Sequence, residues 1–159
     1  MRFTEVGQLR VAAPAEAALA VLWDIRSIAS YEPKVRSATV SPSGARNGTF
    51  FARGSFAGLP WSGTFTYQLT RSGFYSRMKP GALGLQVQGG FFVASASACQ
   101  CVITHYERYE CPCWLSPLTV PARSYLRRAI KEELDALARL ICREQGGELL
   151  RHDQRSRGG

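Results

Sequence analysis

The sequence predicts an α+β chain in which a curved antiparallel sheet of about seven strands wraps a long C-terminal helix, with two short helices after the first strand. Three observations carry this reading. Residues 34–111 break into strand-like runs at hairpin spacing. The clearest run, Trp61 to Thr70, alternates Trp61, Gly63, Phe65, Tyr67 and Leu69 with Ser62, Thr64, Thr66, Gln68 and Thr70, as a sheet with one packed and one wet face requires. Near the C-terminus, Leu126, Ile130, Leu134, Leu137 and Ile141 form one apolar helical stripe, which must be buried, and the only large partner for it is the sheet.

In chain order, Phe3 to Val11 reads as a short strand. Pro14 opens a helix over Ala15 to about Ile25, with Ala18, Val21, Leu22 and Ile25 on one face. A second helical turn near Ser27–Ser30 stops before Tyr31-Glu32-Pro33, because the residue before a proline is biased away from helix. Strands follow at Lys34–Val40, Thr49–Ala57, Trp61–Thr70, Gly73–Lys79, Leu85–Ala94 and Cys99–Cys111. Gly89-Gly90 suggests a bulge or strong bend in the sixth strand. Pro121 lies in the first turn of the last helix and Gly146-Gly147 is expected to end it. Residues 1–147 then form one domain, and 148–159 a flexible polar tail.

Composition narrows the function classes. A chain of 159 residues with 45% hydrophobic and 20% charged residues can bury a core without metals or disulfides. No apolar run approaches the roughly 20 residues of a membrane span, so no stable membrane insertion is expected. Met1 to Val6 carries an early acid and no apolar signal core, which makes the cytoplasm the expected location. The net charge of +8 is spread over Arg2, Arg10, Arg26, Lys34, Arg36, Arg46, Arg53, Arg71, Arg77, Lys79, Arg123, Arg127, Arg128 and Lys131 with no nucleic-acid motif, so these read as a solvated basic surface rather than a nucleic-acid footprint. Five cysteines include Cys99-Gln-Cys101 and Cys111-Pro-Cys113. Their internal spacing is too short for the usual zinc pair, and roughly 33 Å of extended strand separates the two pairs, so they read as small buried hydrophobes and no metal is expected. Gly81-Ala82-Leu83-Gly84 lacks the strand–loop–helix setting of a nucleotide-binding loop, and no cofactor is implied.

Strand, two short helices, six strands and one long helix is the helix-grip order. Ala13-Pro14-Ala15-Glu16 leading into Val21-Leu22-Trp23-Asp24-Ile25, then Tyr31-Glu32-Pro33, then Thr104-His105-Tyr106-Glu107, resemble the START-like SRPBCC superfamily, particularly its bacterial polyketide cyclase/dehydrase-like members. The resemblance spans residues 3–145. It implies an internal pocket for a hydrophobic small molecule, in a family that includes lipid and quinone carriers, hormone receptors and aromatase/cyclases. It supplies no catalytic motif to transfer.

Candidate site residues follow from the alternation. In the last strand the odd positions Cys101, Ile103, His105, Glu107, Tyr109 and Cys111 should face the helix, which sets His105 and Glu107 about 6.5–7 Å apart on the pocket side. A histidine beside an acid in an apolar cavity is suited to proton transfer. The same pair serves equally as a hydrogen-bonded structural element, and a register slip of one residue would expose both. Trp61, Phe65, Tyr67, Phe74, Phe91 and Tyr109, with Leu126, Ile130 and Leu134 of the helix, are the expected lining. Arg53 is a candidate for a ligand carboxylate or carbonyl if it turns inward, and a surface residue otherwise. His152 lies in the tail and is expected to be exposed. Three functions follow: a cofactor-independent cyclase or dehydratase using His105 and Glu107, a non-catalytic carrier of a hydrophobic small molecule, or an interaction module with an ordinary filled core. The first two act as a monomer or homodimer.

Overall fold

A computed structural model describes residues 1–80 and 84–156, with the side chains of 115, 116 and 147–156 outside the description. Gly81-Ala82-Leu83 and the side chain of His152 therefore lie outside the described residues. Among those described, seven strands form one antiparallel sheet: β1 (Arg2–Val11), β2 (Val35–Pro42), β3 (Asn47–Phe56), β4 (Leu59–Thr70), β5 (Gly73–Met78), β6 (Gln86–Ser97) and β7 (Gln100–Glu110). The order across the sheet is β1-β7-β6-β5-β4-β3-β2, a meander from β2 to β7 with β1 closing beside β7. Helices α1 (Ala15–Trp23) and α2 (Ile28–Tyr31), joined by a 3-10 turn at Ile25–Ser27, connect β1 to β2. Helix α3 (Thr119–Ser156) is the last element.

Alternation decides which face of the sheet is packed. Along β7 every odd residue from Cys101 to Tyr109 is buried and every even one is half-exposed or exposed. The apolar stripe of α3 is likewise buried, with Leu126, Leu137 and Ile141 fully inaccessible. The helix crosses β1 at Gly7, where an added Cβ would collide with Ile130 and come close to Leu134. Arg123 and Arg127 of α3 both hold the buried Glu5 of β1. They fix the first turns of the helix over the edge of the sheet.

Two glycine readings change. Helix α3 runs through Gly146-Gly147, since a glycine inside a helix costs only about 1 kcal/mol and does not force a stop. The Gly89-Gly90 pair makes no bulge. Pairing passes unbroken through it on both sides, and the irregularity between β6 and β7 falls at Ser95–Ser97. What the pair permits is close approach, because a Cβ on Gly90 would crowd the Phe74 carbonyl.

Gly54 has a more specific role. A Cβ there would overlap the carbonyl oxygen of Lys34, the residue that leads into β2 and that accepts a hydrogen bond from the Ser55 amide at 3.0 Å. Gly54→Ala should therefore destabilise the fold by about 2–3 kcal/mol, measured by urea denaturation, and should disturb the site around Lys34 more than the distant hairpin turns.

Candidate functional site

Between the concave face of the sheet and α3 lies a cavity of about 610 Å³. Its walls come from β3 and β4 (Phe50, Ala52, Phe56, Trp61, Phe65), β5 and β6 (Phe74, Met78, Val87, Phe91), β7 (Tyr109) and α3 (Ala122, Leu126). Leu59, in the β3–β4 hairpin, and Leu118, before α3, also line it and are 70% and 57% exposed, which marks this end as the mouth.

Of the aromatic and helical residues expected as lining, Trp61, Phe65, Phe74, Phe91, Tyr109 and Leu126 lie on the wall. Tyr67, Ile130 and Leu134 are instead packed in the core. Arg53 is exposed on the outer face of β3, with its guanidinium over the Phe51 ring at 5.3 Å, because its neighbours Ala52 and Gly54 take the inward positions. The cysteines also differ from expectation: Cys101 is buried, while Cys99, Cys113 and Cys142 are exposed at or beyond the ends of strands or on the helix.

The closed end of the cavity is polar. His105 and Glu107 both face it, and three residues the alternation of β7 does not reveal join them: Glu32 after α2, Lys34 before β2, and Glu133 of α3. All five are buried, Glu133 to 1% and His105 to 4% exposure. Lys34, which as one of many scattered bases reads as a surface residue, is an internal cation. Its Nζ donates to Glu107 Oε1 at 2.8 Å and lies 3.3 Å from Glu32 and 3.8 Å from Glu133. Tyr109 donates its hydroxyl to the other oxygen of Glu107 at 3.2 Å. The Nδ1 of His105 donates to the Gly90 carbonyl at 3.1 Å, and the ring stacks on Phe91 at 4.1 Å between centroids. That bond sets Nε2 on the other side of the ring, 3.4 Å from Glu133 Oε2 and 3.9 Å from Glu107 Oε1.

These contacts divide the two acids that face His105. Burial tends to raise the Glu107 carboxyl, but Lys34 and the contact with His105 outweigh it and hold it well below the usual carboxylate range. Burial also raises Glu133, and here the repulsion of Glu32 adds to it, so Glu133 sits well above that range despite Lys34. Burial works against a charged Lys34, yet Glu32, Glu107 and Glu133 prevail and keep it an ammonium. Among the described residues, His105 Nε2 and both oxygens of Glu133 have no hydrogen-bond partner. Glu107 is thus a committed carboxylate, and Glu133, raised by burial and by Glu32, faces Nε2 at 3.4 Å.

The sign of the Glu133 shift makes a prediction. A carboxyl raised by folding contributes stability below its unfolded value, near about 4.3, and loses it as pH rises through the folded value. Glu133→Gln removes that titration. The stability of the variant relative to wild type should therefore increase from pH 4 to pH 8, followed by urea denaturation across that range. A constant difference would contradict the raised carboxyl.

Glu32, His105, Glu107 and Glu133 offer ligand atoms within 4.8 Å of one another, a spacing a metal ion also needs. The Lys34 ammonium already stands among the three carboxylates, so the cluster is organised around an organic cation rather than left open for a metal.

No protein-family model and no curated protein matches the sequence. Solved structures do. An aromatase/cyclase, Zhui, from Streptomyces sp. R1128 is 17% identical with a TM-score of 0.76, over 90% of this chain and 95% of that one. A START superfamily protein from Mycobacterium smegmatis is 11% identical with a TM-score of 0.66, over 88% and 97%. The fold is the START-like helix grip. Norcoclaurine synthase from Thalictrum flavum shares it too: 16% identical, it has a TM-score of 0.62 over 89% of this chain and 87% of its own. Identities this low establish the START-like architecture alone. Within it, the long helix places Glu133 opposite His105 across the closed end of the grip. None of the described helices is long and apolar enough to cross a membrane.

Proposed function

We propose that residues 1–147 form a ligand-binding domain that takes a hydrophobic metabolite into the cavity and promotes its cyclisation or dehydration by proton transfer, without a cofactor. The observation that carries this reading is the pairing of two unpartnered buried groups, His105 Nε2 and Glu133, 3.4 Å apart at the closed end of an apolar cavity. The likeness in fold to polyketide aromatase/cyclases supports the same reading.

In this mechanism Nε2 removes a proton from the carbon beside a ligand carbonyl, forming the C=C bond of an enolate. The Glu133 carboxyl donates a hydrogen bond to the developing oxyanion. In cyclisation the enolate carbon attacks a second carbonyl of the same chain, whose oxygen receives the proton back from the imidazolium. In dehydration the imidazolium protonates the departing hydroxyl, which leaves as water. Glu107, held ionised by Lys34 and Tyr109, stabilises the imidazolium between these steps and does not itself carry the proton. The sequence-based pairing of His105 with Glu107 is thereby extended: Glu107 orients the imidazole and Glu133 stabilises the oxyanion.

A ketone probe tests proton transfer without knowledge of the natural substrate. β-Tetralone in D₂O should exchange its α-protons faster with protein than with buffer alone, followed by ¹H NMR. If tetralone binds but exchange stays at the buffer rate, the carrier reading takes its place. That alternative draws on the same cavity and on the extent to which Lys34, Glu32 and Glu107 satisfy one another. A carrier purified from its own host should bring a stoichiometric, unreacted ligand, visible by native mass spectrometry.

A further inference from the structure

We infer that the outer face of the sheet, on the side away from the cavity, is a docking surface for single-stranded nucleic acid. The inference is independent of the pocket and of any reaction within it.

Scattered along the sequence, the bases of this chain read as a solvated surface, but the strand register gathers several of them around exposed rings. Gly90 of β6 stands between Tyr75 of β5 and Tyr106 of β7, and Tyr106 in turn faces Val6 of β1. Residues opposite one another across a sheet share a face, and Tyr106 belongs to the outer, half-exposed set of β7. Two residues along, about 6.5–7 Å away, Gln88 stands between Arg77 and Arg108. Two residues the other way is Phe92, whose ring stacks on that of Tyr106 with planes 18° apart. Val6, Tyr75 and Phe92 are exposed, Val6 to 59%. Rings and an aliphatic side chain left to water across the adjacent strands β1, β7, β6 and β5 mark an interaction surface rather than stray exposure.

Charge selects the partner. Among the described residues of this face the one carboxylate is Glu110, which Arg2 and Arg108 share at 3.2 Å and 3.4 Å. Arg77 donates to the neutral amide of Gln86 at 3.2 Å and is in no ion pair among the described residues. A second copy of the chain, docked face to face, would bring these guanidiniums against one another, so a net charge of +8 calls for a polyanion. A single strand offers phosphates to Arg77 and Arg108, and unpaired bases to stack on Tyr75, Phe92 and Tyr106 one step away. A duplex keeps its bases stacked on each other. A lipid surface has no use for ring faces set on the flat of a sheet at the height of the guanidiniums.

Fluorescence anisotropy with labelled oligothymidylate and oligouridylate of about twelve nucleotides tests the inference on the full chain. Wild-type protein should bind at low salt with a Kd of about 1–100 μM, and more weakly as salt rises. Arg77→Gln with Arg108→Gln should make the plot of log K against log salt shallower by about 1.4, which is about 0.7 for each lost phosphate contact. Tyr75→Ser with Phe92→Ser should weaken binding by about tenfold or more, whereas Phe92→Tyr keeps the ring and should stay within a few fold. Lys131→Gln with Arg139→Gln removes the same charge from exposed positions of α3 and should leave the affinity within a few fold. An equal loss from the α3 pair, or no loss from the serine pair, would overturn the inference, because binding would then follow net charge alone. Equal binding of a duplex of the same length would do the same. Absence of oligonucleotide binding would also overturn it, and binding to phosphatidylglycerol vesicles in its place would assign the surface to a membrane.

Discussion

Lys34→Met should lower the stability of the fold by about 3–5 kcal/mol, the usual consequence of removing one partner from a buried ion pair. For a chain of this size that corresponds to a fall in melting temperature of roughly 10 °C. Methionine fills much the same volume, so the loss is electrostatic rather than a cavity effect. Glu32 and Glu107 would stand together at the cavity floor with their 3.3 Å and 2.8 Å contacts to the ammonium gone. Glu107 would then have only the Tyr109 hydroxyl, 3.2 Å away, and His105 to offset its charge. The same reasoning predicts rescue. Lys34→Met with Glu107→Gln should recover a large part of the loss, because the second change removes the stranded charge. The pH dependence of wild type follows from the low carboxyl of Glu107. Its contribution is present above the unfolded value of about 4.3 and drains away as pH falls towards the folded one. Thermal denaturation of the two variants checks the argument. A single variant as stable as wild type would show that Lys34 does not neutralise the floor.

His105→Ala should reduce α-proton exchange of bound tetralone by about 10²–10⁴, the span a placed general base supplies. The affinity should change within a few fold, since a ketone gives Nε2 no hydrogen bond and most of the contact comes from aromatic walls. Loss of the ring also removes the stacking partner of Phe91, at 4.1 Å between centroids, so His105→Phe is the better-packed companion variant and should lose the same activity. Glu133→Gln should cost less than removal of the base, because an amide still donates to the oxyanion. A loss of affinity as large as the loss of rate would assign His105 to binding alone.

The sheet and helix were legible because two periodicities run through long segments without conflict. Strict alternation in β4 and β7 identified the inward faces, and with them His105, Glu107, Phe65 and Tyr109. The floor of the cavity was only half legible, since it is assembled from three separate segments: the α2–β2 connection, β7 and α3. Glu133 sits within the run Lys131-Glu132-Glu133, which reads as wet. Its position three residues after Ile130 and four before Leu137 places it inside the apolar stripe, and that spacing was the available signal. Lys34 carried no such signal. It precedes β2 rather than lying within it, and its burial depends on Gly54 of the next strand allowing the backbone to approach. Tyr67, Ile130 and Leu134 face inward as alternation requires, but periodicity reports a face and not whether another side chain fills the space in front of it.

Crystals soaked with 6-bromo-2-naphthol test the cavity itself, because anomalous scattering from bromine locates the ring without prior assumption. One bromine within the concave sheet, among Trp61, Phe65 and α3, is the expected result. Bromine found only on the outer surface, at a concentration that saturates binding in solution, would contradict the existence of a ligand site inside the grip.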